Sequence, residues 1–293
     1  MEEDELIPDA KSLRIQVLGI CRFSFPAELS SFRQNRDSLD ARRAALYSAE
    51  RMDLRFFWFE NLLLPCIAAQ RDKDFTLLVL LGDDIPEPYR SRMDQITAPV
   101  AQIKLVYRPS GNMRDTVRDI MKAEREPDAD AIAEFWLDDD DGVGRNFVTR
   151  ARADFEHGRA LFETHARLAI DYQRGIVMTL TEAGVEYLPL FARNWCAGQI
   201  TYFKPSFGRC TMDFPHYRVW SAMPQISLND QIMFARGEHM MNDSAIKTAN
   251  GIPVRIPNGD VRGTLKRRFA VDQEAFEEAW ANLRDARRVP RDG

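Results

Sequence analysis

The spacing of apolar residues predicts alternating strands and helices in the first half of the chain. Residues 13–20 alternate apolar and polar side chains, as in a strand that has one more exposed face. Residues 75–81 form a continuous apolar run, which is typical of a buried parallel strand. Runs at residues 103–107 and 131–137 predict two further strands. Apolar residues at helical spacing predict helices over residues 40–70, 88–95 and 113–124, the first of them kinked at Pro65.

These elements alternate as strand and helix, which predicts an α/β fold with a mostly parallel, twisted sheet flanked by helices. Ligands of such a sheet bind outside the carboxyl ends of its strands. After Gly142 the pattern changes. It predicts a charged helix over residues 147–172 interrupted at Gly158, hairpin strands at 176–180 and 185–188, a strand at 200–204, a loop-rich stretch at 205–224 and a terminal helix at 272–288.

We expect one compact unit with two lobes. The predicted divisions are a flexible tail at residues 1–11, a ligand-binding lobe at 12–142, a second lobe at 143–265 and a C-terminal helix and tail at 266–293.

Composition limits the class of protein. The 293 residues carry a formal net charge of −5, which argues against general binding to nucleic acid. The four cysteines are widely spaced without a C-x-x-C pair, as expected for reduced thiols. The N-terminus is acidic where a signal peptide would be basic, and no apolar run reaches the roughly 20 residues of a membrane span. We therefore expect a cytoplasmic protein, with peripheral attachment at the inner face of the membrane as an option.

Four consecutive aspartates follow the apolar run that ends at Leu137. Carboxylates at such density repel one another unless a cation lies among them. Oxygen ligands on a short loop suit Mg²⁺ or Mn²⁺, which commonly complete their coordination with a phosphate. The run therefore predicts a divalent metal holding a diphosphate, and a solvated acidic turn is the alternative.

Several segments resemble nucleotide-sugar-dependent glycosyltransferases. Residues 64–75 are similar to the helix that in those enzymes carries P-S-L-x-x-Q, although Cys66 replaces a small Ser, and Leu137–Asp141 is similar to their metal-binding D-x-D motif. More narrowly, residues 19–24, the aspartate run and Asn242-Asp243-Ser244 resemble a bacterial family of rhamnosyltransferases. The resemblance implies a GT-A-like fold with a smaller C-terminal lobe for the acceptor. It also implies a nucleotide diphosphate sugar donor, a Mn²⁺ or Mg²⁺ cofactor and a place in polysaccharide biosynthesis.

The resemblance also implies roles for the aspartates. Asp138 or Asp139 would face the ribose or sugar of the donor, and Asp140 and Asp141 would bind the metal. A late histidine often adds a metal ligand in such enzymes; His239 is the first candidate, and His216 is the second.

Other candidates come from the positions of charged residues. Arg22, Asp83 and Asp84 follow predicted strands at the same edge and would contact the donor. An inverting transfer needs a carboxylate base, for which Asp230 and Asp213 are candidates.

Three functions remain open from the sequence. The first is metal-dependent transfer of a sugar, with rhamnose as one option, to a glycan, a lipid-linked acceptor or another hydroxyl. The second is a nucleotidyltransferase or phosphohydrolase that uses the same aspartates. The third is a catalytically inactive carbohydrate-binding relative. Aromatic residues of the second lobe, such as Tyr202, Tyr217 and Trp220, would either stack on sugar rings or pack in the core.

Overall fold

The computed structural model describes residues 13–27, 39–239, 251–254 and 259–288. Residues 1–11 and Asn242-Asp243-Ser244, for which the sequence made predictions, lie outside them. The described strands are β1 (Ile15–Arg22), β2 (Thr76–Gly82), β3 (Ile103–Arg108), β4 (Ala131–Asp138), β5 (Asp141–Val143), β6 (Arg167–Thr181), β7 (Gly184–Phe191), β8 (Gln199–Phe203), β9 (Gln225–Glu238) and β10 (Ile252–Pro253). The described α-helices are α1 (Leu39–Leu46), α2 (Ala49–Trp58), α3 (Leu64–Ala68), α4 (Tyr89–Thr97), α5 (Met113–Ala123), α6 (Phe147–Ala153), α7 (Arg159–His165), α8 (Val261–Thr264) and α9 (Gln273–Arg288).

The first four strands form a parallel sheet in the order β3-β2-β1-β4. The predicted α/β fold and these four strands are therefore confirmed. Along the β1–β4 pair, Arg22 lies opposite Asp138, because both are the last residues of neighbouring parallel strands. The fold thus brings the end of β1 to the first aspartate of the run.

The later strands extend the same sheet with mostly antiparallel pairs. Strand β8 pairs with β4, and β6, β7 and β10 follow in order. Strand β9 pairs in parallel with β6 and antiparallel with the short β5. Since the sheet is continuous, the boundary drawn between residues 142 and 143 stays a prediction.

The predicted helix over residues 147–172 is wrong in its last six residues. The helical stretch ends at Ala166, which has the left-handed φ of 58°, and β6 begins at Arg167. Leu168–Tyr172 is buried between strands, and its apolar residues fit both a helix face and a central strand. Gly158 marks the predicted interruption, where a short 3₁₀ helix ends.

The predicted long helix over residues 40–70 is divided into three. A π-helical turn, Phe59–Leu63, joins α2 to α3, and Leu64 N–H donates to the carbonyl of Phe59 five residues earlier. This wider turn lies directly before Pro65, whose missing N–H removes one ordinary helical bond. The chain therefore stays helical through this turn and into α3. Phe56 on α2 and Phe59 in the turn pack edge-on against Phe23.

Strand β9 was not predicted. Its first half is polar and partly exposed, so residues 225–231 lack the apolar alternation of a strand, whereas residues 232–235 are buried. Within the described ranges, no helix is long and apolar enough to span a lipid bilayer.

A buried ion pair attaches the loop after β8 to the sheet. Arg125 donates from Nε and Nη2 to Glu134 Oε1 at 2.9 and 2.6 Å, and both side chains are almost fully buried. The same guanidinium donates to the carbonyls of Phe207 and Arg209 at 2.5 and 2.6 Å. Glu134 Oε2 accepts the backbone N–H of Thr211 at 2.8 Å. This pair therefore fixes residues 207–211 against the strand that ends in the aspartates.

Removing Glu134 tests the importance of this attachment. We expect Glu134→Ala to lower the free energy of unfolding by about 3–5 kcal/mol, because it leaves a buried guanidinium without its counter-charge. Arg14→Ala is the control, since Arg14 pairs with Glu126 and Asp128 at the surface and should contribute less than about 1 kcal/mol. Urea denaturation measures both, and equal losses would contradict the assignment.

Candidate active site

The four aspartates form a tight turn between β4 and β5. The N–H of Asp138 donates to Asp141 Oδ2 at 2.9 Å, and this bond closes the turn. Asp141 then begins β5, whose backbone pairs with β9 opposite Arg236. Asp139, Asp140 and Asp141 are exposed by only 1%, 5% and 0%, so the predicted run is not a solvated acidic loop.

Cationic side chains from three different elements surround the turn. Arg22 Nη2 on β1 lies 3.2 Å from Asp138 Oδ1. Arg55 on α2 forms a buried ion pair with Asp139. Arg236 on β9 acts on Asp141 through its charge and is stacked over the Trp195 ring at 5.2 Å. These guanidinium groups offset the mutual repulsion of the carboxylates.

Asp140 lies beside His239. Its Oδ2 is 3.4 Å from His239 Nε2, and its carbonyl accepts the N–H of Gly237 at 2.7 Å. A Cβ atom on Gly237 would lie 2.9 Å from Asp140 Cβ and 3.0 Å from Trp58 Cδ2, so only glycine allows this approach.

The environment separates the ionisation of the aspartates. Burial raises the pKa of Asp139 to about 7, although the charge of Arg55 opposes the shift. Burial also raises the pKa of Asp141 well above its ordinary value. For Asp140 burial acts in the same direction, but the hydrogen bond with His239 and the charge of Arg55 leave its pKa below the ordinary value. A cation near Asp139 and Asp141 would favour their charged forms.

The turn has oxygen atoms that fit a divalent cation. Asp139 Oδ2 and Asp141 Oδ1 are buried and accept no hydrogen bond from the part of the chain that the structure describes. Asp138, Asp141 and Cys196 each offer a ligand atom, and these atoms lie within 4.8 Å of one another. Burial raises the pKa of Cys196, so its sulfur is a neutral thiol. Because Mg²⁺ and Mn²⁺ prefer oxygen, the two carboxylates are the suitable ligands.

The predicted metal set is only partly brought together. Asp140 and His239 meet, but among the described residues they do not form a three-ligand group with Asp141 within 4.8 Å. His216, the second histidine candidate, packs against Trp136, and the charges of Asp138 and Arg236 act on it.

The two predicted donor residues on this side, Asp83 and Asp84, directly follow β2, and Asp84 holds helix α1. Asp84 accepts from the Tyr47 hydroxyl at 2.8 Å and lies 2.6 Å from Arg43 Nε, whereas Asp83 is exposed. Both follow β2, beside the end of β1, so they lie at the predicted edge. Their contact with a donor stays a prediction.

Both predicted bases are engaged in ion pairs. Asp230 accepts from Arg150 at 2.7 and 3.1 Å, and it lies six residues before Arg236, roughly 20 Å along β9. Asp213 accepts from Arg118 Nε at 2.8 Å and from the Cys210 N–H at 2.9 Å. The hydrogen bonds with these arginines hold the pKa of each carboxyl below its ordinary value, against the effect of burial. Each carboxyl is thus a weaker base than an ordinary aspartate, and its role as the base stays a prediction.

Arg51, Arg55 and Arg236 lie beside the turn and were not found from the sequence, whereas Arg22 was. Three arginines line a cleft next to the first two aspartates; the lining residues are Arg22, Ser24, Phe25, Leu46, Arg51, Arg55, Asp138 and Asp139. Arg51 and Arg55 are four residues apart on α2 and therefore share one face of it, a spacing that could have identified them. Arg236 lies on the unpredicted β9.

A carboxylate turn at the carboxyl edge of a parallel sheet, beside a cleft lined by arginines, suits an enzyme that binds a phosphorylated ligand. The sequence matches the family described as "Putative rhamnosyl transferase" over residues 16–251, and the chain belongs to this family.

Solved structures with a distantly similar fold include TarS of S. aureus. Its fragment 1–349 in complex with UDP-GlcNAc is 10% identical with a TM-score of 0.41, over 95% of this chain and 74% of that chain. Another crystal structure of the fragment gives 10% identity, a TM-score of 0.39 and 76% of this chain, and the present chain spans 60% of it. HddC from Yersinia pseudotuberculosis is 8% identical with a TM-score of 0.29, over 77% and 90% of the two chains. No curated protein sequence matches significantly.

The Arg55–Asp139 pair can be tested by a double-mutant cycle made of Arg55→Met, Asp139→Leu and the double variant. We expect Arg55→Met to lower the free energy of unfolding by about 3–5 kcal/mol, because it leaves a buried carboxylate unpaired. The double variant Arg55→Met/Asp139→Leu should recover most of that loss, since apolar side chains can replace a buried pair at little cost. Additive losses in urea denaturation would show that the two groups are not coupled.

Proposed function

We propose that this chain is a metal-dependent transferase that moves a sugar, rhamnose being the first to test, from a nucleoside diphosphate to a hydroxyl acceptor. The acceptor would be a glycan or a lipid-linked sugar in polysaccharide biosynthesis, and the protein would act in the cytoplasm or at the inner face of the membrane. The observation that carries the proposal is the buried aspartate turn beside the three-arginine cleft. Carboxylates and guanidinium groups lie next to each other there, which suits a cation and a diphosphate bound together.

The arginines suit the leaving group. As the bond from the anomeric carbon to the diphosphate breaks, negative charge develops on the phosphate oxygens. Arg22, Arg51 and Arg55 line the cleft where that charge would be placed, and guanidinium groups bind phosphate oxygens with paired hydrogen bonds. Arg22 and Arg55 already hold aspartates, so they are oriented before the donor enters.

The carboxylates suit the cofactor. Asp138 and Asp141 would hold Mn²⁺ or Mg²⁺, and Asp139 would contact the donor beside Arg55. When bound, the ion supplies Lewis-acid stabilisation of the diphosphate. The alternative ligand set is Asp140 with His239. We favour the first set because Asp141 Oδ1 is buried without a hydrogen bond from the described residues.

Calorimetric titration with dTDP, UDP and GDP, each with Mg²⁺, tests the donor cleft. We expect one nucleotide to bind, and Arg51→Gln to weaken that binding roughly 10- to 100-fold, because one charge-assisted hydrogen bond contributes about 1.5–3 kcal/mol. Arg114→Gln, on the exposed face of α5, is the matched control and should change nothing. Failure of all three nucleotides to bind contradicts the proposal. Release of pyrophosphate instead of nucleoside diphosphate during turnover would favour a nucleotidyltransferase.

Binding of Mn²⁺, followed by the loss of its free electron paramagnetic resonance signal, tests the cofactor. We expect Asp141→Asn to weaken binding at least tenfold, because it removes a charged ligand, and Cys196→Ser to leave binding within about twofold. Asp140→Asn and His239→Gln are the comparison. A larger loss in this second pair than in Asp141→Asn would transfer the ion to the Asp140 side, and unchanged binding in every variant would remove it from the turn.

A further inference from the structure

Two large aromatic side chains lie at the surface in the segment that follows β8. Tyr217 and Trp220, in the 3₁₀ segment His216–Ser221, are 60% and 62% exposed. Tyr202, another aromatic residue that the sequence suggested for sugar binding, is fully buried and packs in the core instead. Aromatic rings exposed to this degree offer flat apolar faces, on which the C–H faces of sugar rings stack.

A short series of contacts connects this segment to the aspartates. His216 packs edge-on against Trp136, with ring centroids 5.9 Å apart. Trp136 in turn donates from Nε1 to Asp138 Oδ1 at 3.4 Å. His216, the first residue of the segment, is therefore separated from Asp138 by one side chain, that of Trp136.

The segment is also held firmly. Val219, between the two exposed rings, is 1% exposed and belongs to a small apolar cluster with Phe203, Phe214 and Met223. Gln199 on β8 donates to the carbonyl of His216 at 3.3 Å. The rings are thus presented by a fixed backbone, which reduces the entropy lost on binding.

The contacts of His216 define its tautomer. Its Nδ1 lies 2.6 Å from the carbonyl oxygen of Asn194, which can only accept, so Nδ1 carries the proton and Nε2 has the free electron pair. The charged groups that face this ring are Asp138 from β4 and Arg236 from β9. Burial lowers the pKa of His216 and Arg236 lowers it further, against the effects of the Asn194 carbonyl and Asp138. The imidazole is therefore neutral at pH 7.

We propose that the segment His216–Ser221 is the acceptor subsite, where Tyr217 and Trp220 stack on a carbohydrate ring and His216 receives the proton of the attacking hydroxyl. This inference rests on the proposed function. In the transfer step, the acceptor oxygen forms a bond to the anomeric carbon while the bond from that carbon to the diphosphate breaks. The bonding electrons leave with the nucleoside diphosphate, and the hydroxyl proton moves to His216 Nε2. The product has inverted configuration, as expected of a single displacement.

The first test is binding of simple glycosides to protein labelled with ¹⁵N-tryptophan and saturated with Mg²⁺ and the bound nucleoside diphosphate. The probes are the methyl glycosides of α-L-rhamnose, α-D-mannose, β-D-glucose and β-D-galactose. We expect at least one to shift the indole signal of Trp220, and Tyr217→Ala to weaken its affinity about three- to tenfold. Leu161→Ala, another exposed apolar side chain, is the control and should leave the affinity unchanged.

The second test uses nucleoside diphosphate release with dTDP-rhamnose, and with UDP- and GDP-sugars, in the presence of those glycosides. His216→Asn keeps a donor for the Asn194 carbonyl but has no base at Nε2, so we expect kcat to fall at least 100-fold with the glycoside KM within twofold. His157→Gln, at an exposed position, is the control.

The outcomes separate this inference from the proposed function. If the nucleotide binds but no glycoside shifts Trp220, or if His216→Asn keeps kcat within threefold, the acceptor subsite is wrong and the donor site stands. If no nucleotide binds, or no donor releases its diphosphate, the proposed function itself is wrong and this inference falls with it.

Discussion

The burial of three adjacent carboxylates is the constraint on which the rest of the site depends. Asp139, Asp140 and Asp141 are almost completely removed from solvent. An unpaired charge at any one of them would lower the stability of the fold by several kcal/mol. Basic groups from distant positions of the chain come together at this turn and offset that loss. Arg22 arrives on β1, Arg55 on α2, and Arg236 and His239 at the end of β9.

This constraint also explains why distant segments are packed as they are. Strand β9 must reach β5 so that Arg236 comes opposite Asp141, and Gly237 allows the backbone of β9 to approach Asp140. On the other face, the Arg125–Glu134 pair attaches residues 207–211 to β4. The segment with His216 and Trp220 follows directly, so the same strand positions both the aspartates and the proposed acceptor subsite.

The sequence predicts the parallel half of the fold well, because β1 to β4 are apolar runs separated by helices at regular spacing. The aspartate run was also visible, since an acidic cluster directly after a buried strand is conspicuous. Two partners of that run were not, because Arg55 and Arg236 are separated from Asp139 and Asp141 by 84 and 95 positions, and only the packing of α2 and β9 brings them near. Asp230 and Asp213 were candidate bases from the sequence alone. The sequence did not reveal that each of them pairs with an arginine from another element.

The turn and its arginine cleft are proposed to bind a divalent cation and a nucleoside diphosphate together. The most direct measurement is an anomalous difference map, recorded near the manganese absorption edge, from crystals containing Mn²⁺ and the nucleotide that binds most tightly. We expect a single strong peak coordinated by carboxylates of Asp138–Asp141, with the diphosphate between the ion and Arg22, Arg51 and Arg55. A nucleotide bound elsewhere on the sheet, or manganese away from this turn, would contradict the account.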